Sequence, residues 1–229
     1  MEIEKLIFIT GGVRSGKSAF AERLAIKHAL KTENNLHYIA CGIPTDVEMQ
    51  ERIKRHQQDR RQSDFTWRTW EQPIHLSHIA NQFTGQDVIL LDCMTTLLNN
   101  YLFHEGVDDT NTVLEYVRED ITELCNHAGK VIIVSNEVLQ DIPYKNELTR
   151  NYQALLGNVH QQIVENADLA ILVESGIPLV KKGGGNEGSY AAGNCFSCWK
   201  KYSYDSNLPD ADKTRISNFP FQSTEYVES

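Results

Sequence analysis

Apolar positions in this chain gather into short unbroken runs, separated by longer stretches of helical period. Leu6 to Thr10, Leu36 to Cys41, Val88 to Asp92, Val131 to Ser135 and Leu169 to Val173 have strand length and are apolar almost throughout. Runs of that kind predict strands covered on both faces, as in parallel sheets. Between them, Ala19 to Leu30, Asn111 to His127 and Glu147 to Glu165 carry apolar residues at helical spacing, which predicts amphipathic helices. Phe65 to Trp70 is a candidate for a further strand. Strands alternating with helices predict an α/β domain with a mostly parallel sheet.

No internal repeat and no linker rich in Pro or Ser divides residues 1–182, so they read as one domain. The composition changes at Gly183. Residues 183–229 hold four of the nine Tyr but, among Ile, Leu and Val, only Leu208, Ile216 and Val227. They read as an irregular C-terminal extension.

Composition narrows the partners. The 229 residues are 41% hydrophobic and 23% charged, which excludes collagenous and wholly disordered classes. With 22 Lys+Arg against 31 Asp+Glu, the net charge of -9 argues against nucleic acid as the main partner and makes any phosphate site local. No apolar run approaches the ~18 residues of a membrane span, and Met1 to Lys5 lacks the basic and then apolar start of a signal peptide. A cytosolic protein is expected. Five cysteines, Cys41, Cys93, Cys125, Cys195 and Cys198, fit reduced thiols better than a disulfide framework. Cys195 and Cys198 have zinc-ligand spacing, but nothing near them completes a four-ligand site.

The sharpest local signal is Gly11-Gly12-Val13-Arg14-Ser15-Gly16-Lys17-Ser18, which satisfies G-x-x-x-x-G-K-[ST] between a predicted strand and a predicted helix. Glycines there let backbone N–H groups converge on phosphate oxygens, and the helix adds its positive end. Lys17 is placed for the β- and γ-phosphates and Ser18 for Mg²⁺. Such a loop also needs a carboxylate near the metal, commonly ending a neighbouring buried strand; Asp92 supplies one. Its alternative role is to cap the helix predicted over Thr95 to Tyr101.

Thr45 to Arg61 predicts another helix, opened by a capping box at Thr45 and Glu48, with Met49, Ile53 and His56 along one face. On residue pattern alone, His56 is either packed or catalytic. Arg52, Arg55, Arg60 and Arg61 around it form an unusual concentration of cations for an acidic chain.

Together, Thr10 to Glu22, Arg52 to His56 with Arg60, Trp67 to Pro73, Leu91 to Asn100, Val134 to Val138 and Ser175 to Pro178 resemble the adenosylcobinamide kinase/adenosylcobinamide-phosphate guanylyltransferase family of cobalamin biosynthesis. The resemblance covers most of residues 5–182. It implies a RecA-like P-loop fold, mostly parallel sheet flanked by helices, assembled as a homotrimer. It implies two reactions: phosphorylation of the aminopropanol hydroxyl of adenosylcobinamide by ATP or GTP, and transfer of GMP from GTP to the resulting phosphate through a guanylylated histidine. The matching histidine is His56, with the arginines as phosphate clamps and Glu71 as a second carboxylate near Mg²⁺ or nucleotide. The alternatives are a kinase acting on the hydroxyl alone and a RecA-like regulatory ATPase.

The chain departs from the family pattern at Leu139 to Asp141, where glycines are replaced, and again over Arg150 to Gln161. There Gln153 and Ala154 stand for an arginine and an acid, and His160 for an asparagine. These changes point to altered binding of whichever substrate uses that region, the corrinoid being the candidate.

Overall fold

A computed structural model of the chain describes residues 4–32, 34–43, 65–103, 105–107, 109–137 and 147–183. All five apolar runs form strands: β1 (Leu6–Gly11), β2 (Asn35–Ala40), β4 (Asp87–Asp92), β5 (Lys130–Asn136) and β6 (Leu169–Glu174). The further candidate is β3 (Trp67–Glu71). With β7 (Ile177–Lys182) they make a seven-stranded sheet in the order β3-β2-β4-β5-β1-β6-β7. Every pairing is parallel except β6 with β7.

The helices are α1 (Lys17–Thr32), α2 (Ser77–Ala80), α3 (Met94–Phe103), α4 (Thr110–His127) and α5 (Glu147–Asn166). The helix predicted over Thr45 to Arg61 lies outside the described residues. Because side chains alternate along a strand, each central strand feeds two cores. Ile7, Ile9, Leu90 and Val134 pack under Phe20, Leu24 and Ala25 of α1. Phe8, Leu91 and Ile133 face Leu97 of α3, Val117 and Leu124 of α4, and Leu156 and Val159 of α5. This is the mostly parallel sheet flanked by helices that the resemblance implies, with the phosphate loop joining β1 to α1.

The antiparallel edge strand β7 was not among the predicted elements. Glu174 pairs with Ile177 across Ser175 and Gly176, whose φ values of 49° and 79° are both positive. Two central residues in that conformation make the tight hairpin turn that matches strand twist. Pro178, which cannot donate to a ladder, is tolerated because β7 is an edge.

Register places the site. Gly11 pairs with Asn136, and Asp92 with Val134 and Ala40, so the carboxyl ends of β1, β5, β4 and β2 share one edge of the sheet. At the opposite edge the Asp168 carboxylate accepts from the backbone N–H groups of Lys5 and Leu6 at 2.7 and 2.9 Å, holding the start of β1.

Candidate functional site

The phosphate loop turns sharply out of β1. Ser15 N–H donates to the Gly12 carbonyl at 3.2 Å and Phe20 N–H to the Gly16 carbonyl at 3.0 Å, so the first turn of α1 grows directly from the loop. Gly16 takes a φ of 86°, a conformation open to glycine. Arg14, at a φ of 61°, is held there against a steric cost of about 1–2 kcal/mol. A Cβ on Gly11 would stand 2.4 Å from the Val173 carbonyl oxygen and 2.6 Å from Ser15 Oγ, so only glycine lets the loop settle against β6. The hairpin turn supports it further, with Gly176 N–H donating to the Ser15 carbonyl at 2.8 Å.

Within the loop, Val13 and Arg14 are exposed and Ser15 and Lys17 buried, while Gly12 and Ser18 are half-buried. Lys17 is the first residue of α1, and its ammonium donates to the Gly12 carbonyl at 3.1 Å. The charge is thereby held over the loop whose N–H groups would meet a phosphate.

Asp92 ends β4, half-buried, and accepts from the Tyr38 hydroxyl at 3.1 Å. It does not open the next helix; Thr96 N–H and Leu97 N–H donate to the Cys93 carbonyl instead, both at 3.1 Å. That settles the capping alternative. The expectation of a neighbouring strand needs correction, however: β5 lies between β1 and β4. Two strand spacings, roughly 10 Å, separate the chains that carry the loop and the carboxylate, leaving room for a phosphate and its ion.

The end of β5 borders that interval, and its contacts there are not legible in residue pattern. Glu137 N–H donates to the Gly11 carbonyl at 2.9 Å. Asn136 Nδ2 donates to Thr95 Oγ1 at 3.0 Å and approaches Cys93 Sγ at 3.8 Å. Cys93 Sγ lies 3.0 and 3.1 Å from Thr95 Oγ1 and Thr96 Oγ1. Nearby, Asn100 Nδ2 donates to the Cys41 and Pro73 carbonyls at 2.7 and 2.9 Å, tying the exits of β2 and β3 together.

Glu71 shares this sheet edge, in register with Ala40, and is exposed. It sits on the outermost strand, four spacings from β1, or roughly 19 Å. Glu71 therefore stands apart from the phosphate loop of the same chain, and Asp92 lies on a strand midway between them. Arg52, Arg55, His56 and Arg60 lie outside the described residues, as do Leu139 to Asp141 and the pair Cys195 and Cys198. Strand β2, which precedes the His56 segment in sequence, lies between the strands of Glu71 and Asp92.

Of the second departure from the family pattern, His160 belongs to the core, whereas Gln153 is half-buried and Ala154 exposed. His160 is buried against Phe8, ring centroids 5.1 Å apart, with Nε2 2.7 Å from Ser135 Oγ. Burial pushes its pKa down to about 4, so the ring is neutral. Tyr152, on the same helix, donates from its hydroxyl to the Thr95 carbonyl at 3.4 Å.

The donors present suit Mg²⁺. Ser18 and Asp92 offer the hard oxygens that ion takes beside nucleotide phosphates, and Ser15 Oγ is buried at the loop without a hydrogen-bond partner. Among the described residues, no group of three or more His, Cys, Asp or Glu is placed to hold a metal. A groove of about 930 Å³ between α4 and α5, lined by Lys5, Arg118 and Asp168 among others, opens at the opposite edge of the sheet and has no part in this site. No helix among the described residues is long and apolar enough to cross a membrane.

A complete phosphate loop between β1 and α1, facing a carboxylate at the end of β4, defines a P-loop nucleotide-binding domain. Residues 7–181 match the family model described as cobinamide kinase / cobinamide phosphate guanyltransferase, and the chain belongs to that family. It is 34% identical over 183 residues to the bifunctional adenosylcobalamin biosynthesis protein CobU of Escherichia coli, covering 75% of this chain and 97% of that protein. It is also 34% identical over 176 residues to the bifunctional adenosylcobalamin biosynthesis protein CobP of Pseudomonas aeruginosa, covering 76% and 96%. Among solved structures, the flagellar accessory protein FlaH of Methanocaldococcus jannaschii is similar at 17% identity and a TM-score of 0.47, with 82% of each chain covered.

Proposed function

We propose that this chain phosphorylates adenosylcobinamide with a nucleoside triphosphate and then transfers GMP from GTP to adenosylcobinamide phosphate. The observation that carries the reading is the Gly11 to Ser18 loop with the Lys17 ammonium held across it, in a chain that spans 97% of a bifunctional relative.

In the first reaction the substrate hydroxyl oxygen attacks the γ-phosphorus. The new O–P bond forms as the bond to the β,γ-bridging oxygen breaks, and the nucleoside diphosphate leaves. Loop N–H groups and Lys17 meet the charge that develops on the phosphoryl oxygens. Mg²⁺ held by Ser18 and Asp92 supplies further charge neutralisation when bound.

In the second reaction a neutral imidazole nitrogen of His56 attacks the α-phosphorus of GTP. An N–P bond forms, the α,β-bridging bond breaks and pyrophosphate departs, while the imidazole sheds its proton. A phosphate oxygen of adenosylcobinamide phosphate then displaces the histidine, so the diphosphate linkage forms as the N–P bond breaks. Arg52, Arg55 and Arg60 clamp phosphate oxygens, a task suited to guanidinium forks. Glu71 serves this half of the site, beside GTP. Assembly as a trimer in the cytoplasm belongs to the same reading, and light scattering would return three times the 26.1 kDa chain mass.

The test is incubation with GTP labelled at the α-phosphate. A phosphoramidate on His56 is labile in acid and survives alkali, and it is absent from His56→Ala. That variant keeps kinase turnover, since the γ-phosphoryl group passes directly to the hydroxyl. An adduct persisting in His56→Ala overturns the histidine assignment; no adduct in either protein, with adenosylcobinamide phosphate still produced, reduces the chain to a kinase.

A further inference from the structure

Ser135 is fully buried on a central strand, where an unpaired hydroxyl is costly. Its Oγ meets His160 Nε2 at 2.7 Å, and the imidazole is wedged edge-on to Phe8. An aliphatic pair would fill the same space without desolvating two polar groups. What such a pair would lack is direction: a hydrogen bond fixes the strand along its own axis, which apolar contact does not.

The place of this bond gives it significance. Ser135 pairs with Thr10, the last residue before the phosphate loop. The next two residues reach both halves of the site, with Asn136 Nδ2 donating to Thr95 Oγ1 at 3.0 Å and Glu137 N–H to the Gly11 carbonyl at 2.9 Å. The same helix holds the other side, since Tyr152, eight residues before His160 and so roughly 12 Å along α5, donates to the Thr95 carbonyl. One helix therefore grips β5 and the first turn of α3 at separate points.

We propose that His160 is a positioning residue of the nucleotide site: by bonding Ser135 it fixes the carboxyl end of β5, and through Asn136 and Glu137 it sets the spacing between the phosphate loop and Asp92. The proposal rests on the reading of the chain as a phosphoryl and guanylyl transferase. His160 touches no substrate; it acts through the strand.

The experiment uses the full chain with three single variants and one double. His160→Leu keeps bulk and loses the bond, Ser135→Ala removes the other partner, and His160→Gln restores a group able to bond Ser135. Affinity for a fluorescent GTP analogue with Mg²⁺, and kcat and KM with adenosylcobinamide, are read well below each melting temperature. His160→Leu and Ser135→Ala should each weaken nucleotide affinity and lower kcat by about tenfold, with KM for the corrinoid unchanged. The double variant should be no worse than either single, because both remove one bond, and His160→Gln should recover most of the loss. A His160→Leu protein that melts earlier yet keeps wild-type affinity and kcat overturns the proposal in favour of simple packing. So does a double variant whose losses multiply. If His160→Leu does not fold, Ser135→Ala and His160→Gln decide by the same comparison. A wild-type protein that binds nucleotide but leaves the corrinoid unchanged defeats the proposed function alone, and nucleotide affinity then decides the role of His160.

Discussion

The ammonium of Lys17 donates to the carbonyl of Gly12 at 3.1 Å, so the phosphate loop is closed across its own lysine. One charge serves both proposed transfers, meeting the γ-phosphoryl group in the first and departing pyrophosphate in the second. Lys17→Ala should therefore abolish both together, with at least a hundredfold loss in kcat, on the order of 3 kcal/mol of transition-state stabilisation. Rates of the two reactions, measured on a variant whose circular dichroism matches the wild type, check this; a wild-type rate in either shows that the reactions use separate sites.

Gly11 has no space for a side chain, its virtual Cβ standing 2.4 Å from backbone of β6. The obstruction is backbone, which cannot swing aside, so Gly11→Ala must push the loop off Val173. A stability loss of about 1–3 kcal/mol is expected, with nucleotide affinity falling as the loop moves. Gly12, whose Cβ would meet nothing within 4 Å, is the control: Gly12→Ala should leave melting temperature close to wild type.

His160 makes stability depend on pH. Its folded pKa of about 4 lies below the ordinary histidine value, so between those two the unfolded chain binds more protons and stability rises with pH. The contribution is complete above about 6.5, is lost as pH falls from there towards 4, and is on the order of 3 kcal/mol in total. His37, also depressed by burial, pulls the same way. Denaturant midpoints at pH 7 and 4.5 should thus fall more for the wild type than for His160→Gln, and equal falls would contradict the assignment.

The Tyr101 hydroxyl donates to Asp120 Oδ2 at 2.6 Å and accepts from His75 N–H at 2.8 Å. Asp120 Oδ1 in turn accepts from Ser77 N–H at 2.9 Å, so one buried pair joins α2, α3 and α4. Tyr101→Phe strips a partner from a buried carboxylate and from a backbone N–H, which should cost about 2–3 kcal/mol in urea unfolding. Nucleotide affinity should be unchanged, since none of these groups belongs to the phosphate loop or bonds to Asp92.

The C-terminal extension is proposed to be dispensable for the core. Lys182 pairs with Ala170 and donates to the Val164 and Glu165 carbonyls at 2.8 and 2.9 Å, closing β7 against α5. A chain ending after Lys182 should stay soluble, bind nucleotide and melt within a few degrees of the full chain. Aggregation, or loss of nucleotide binding, would show the extension to be integral.

Much of this protein was legible in one dimension. Five buried strands announced themselves because a parallel sheet covered on both faces needs apolar residues at every position, and such runs stand out. The phosphate loop was equally plain, since its glycines and Lys17 are demanded by local backbone geometry between one strand and one helix. Other features depended on groups far apart in sequence. Strand β7 hid behind Pro178 and a two-residue turn; its edge position, which makes that proline harmless, exists only in the sheet. The interposition of β5 between Gly11 and Asp92 is a matter of strand order, which periodicity does not encode. For the same reason Glu71, close to the site by family resemblance, stands four strands away from the phosphate loop. His160 looked like a lost substrate contact because a helix can present a residue to solvent or to the core with equal local propensity. Residues within a few positions of one another determined the elements and the loop; the pairing of Ser135 with His160 was decided by packing α5 on the sheet, where a buried hydroxyl must find a partner.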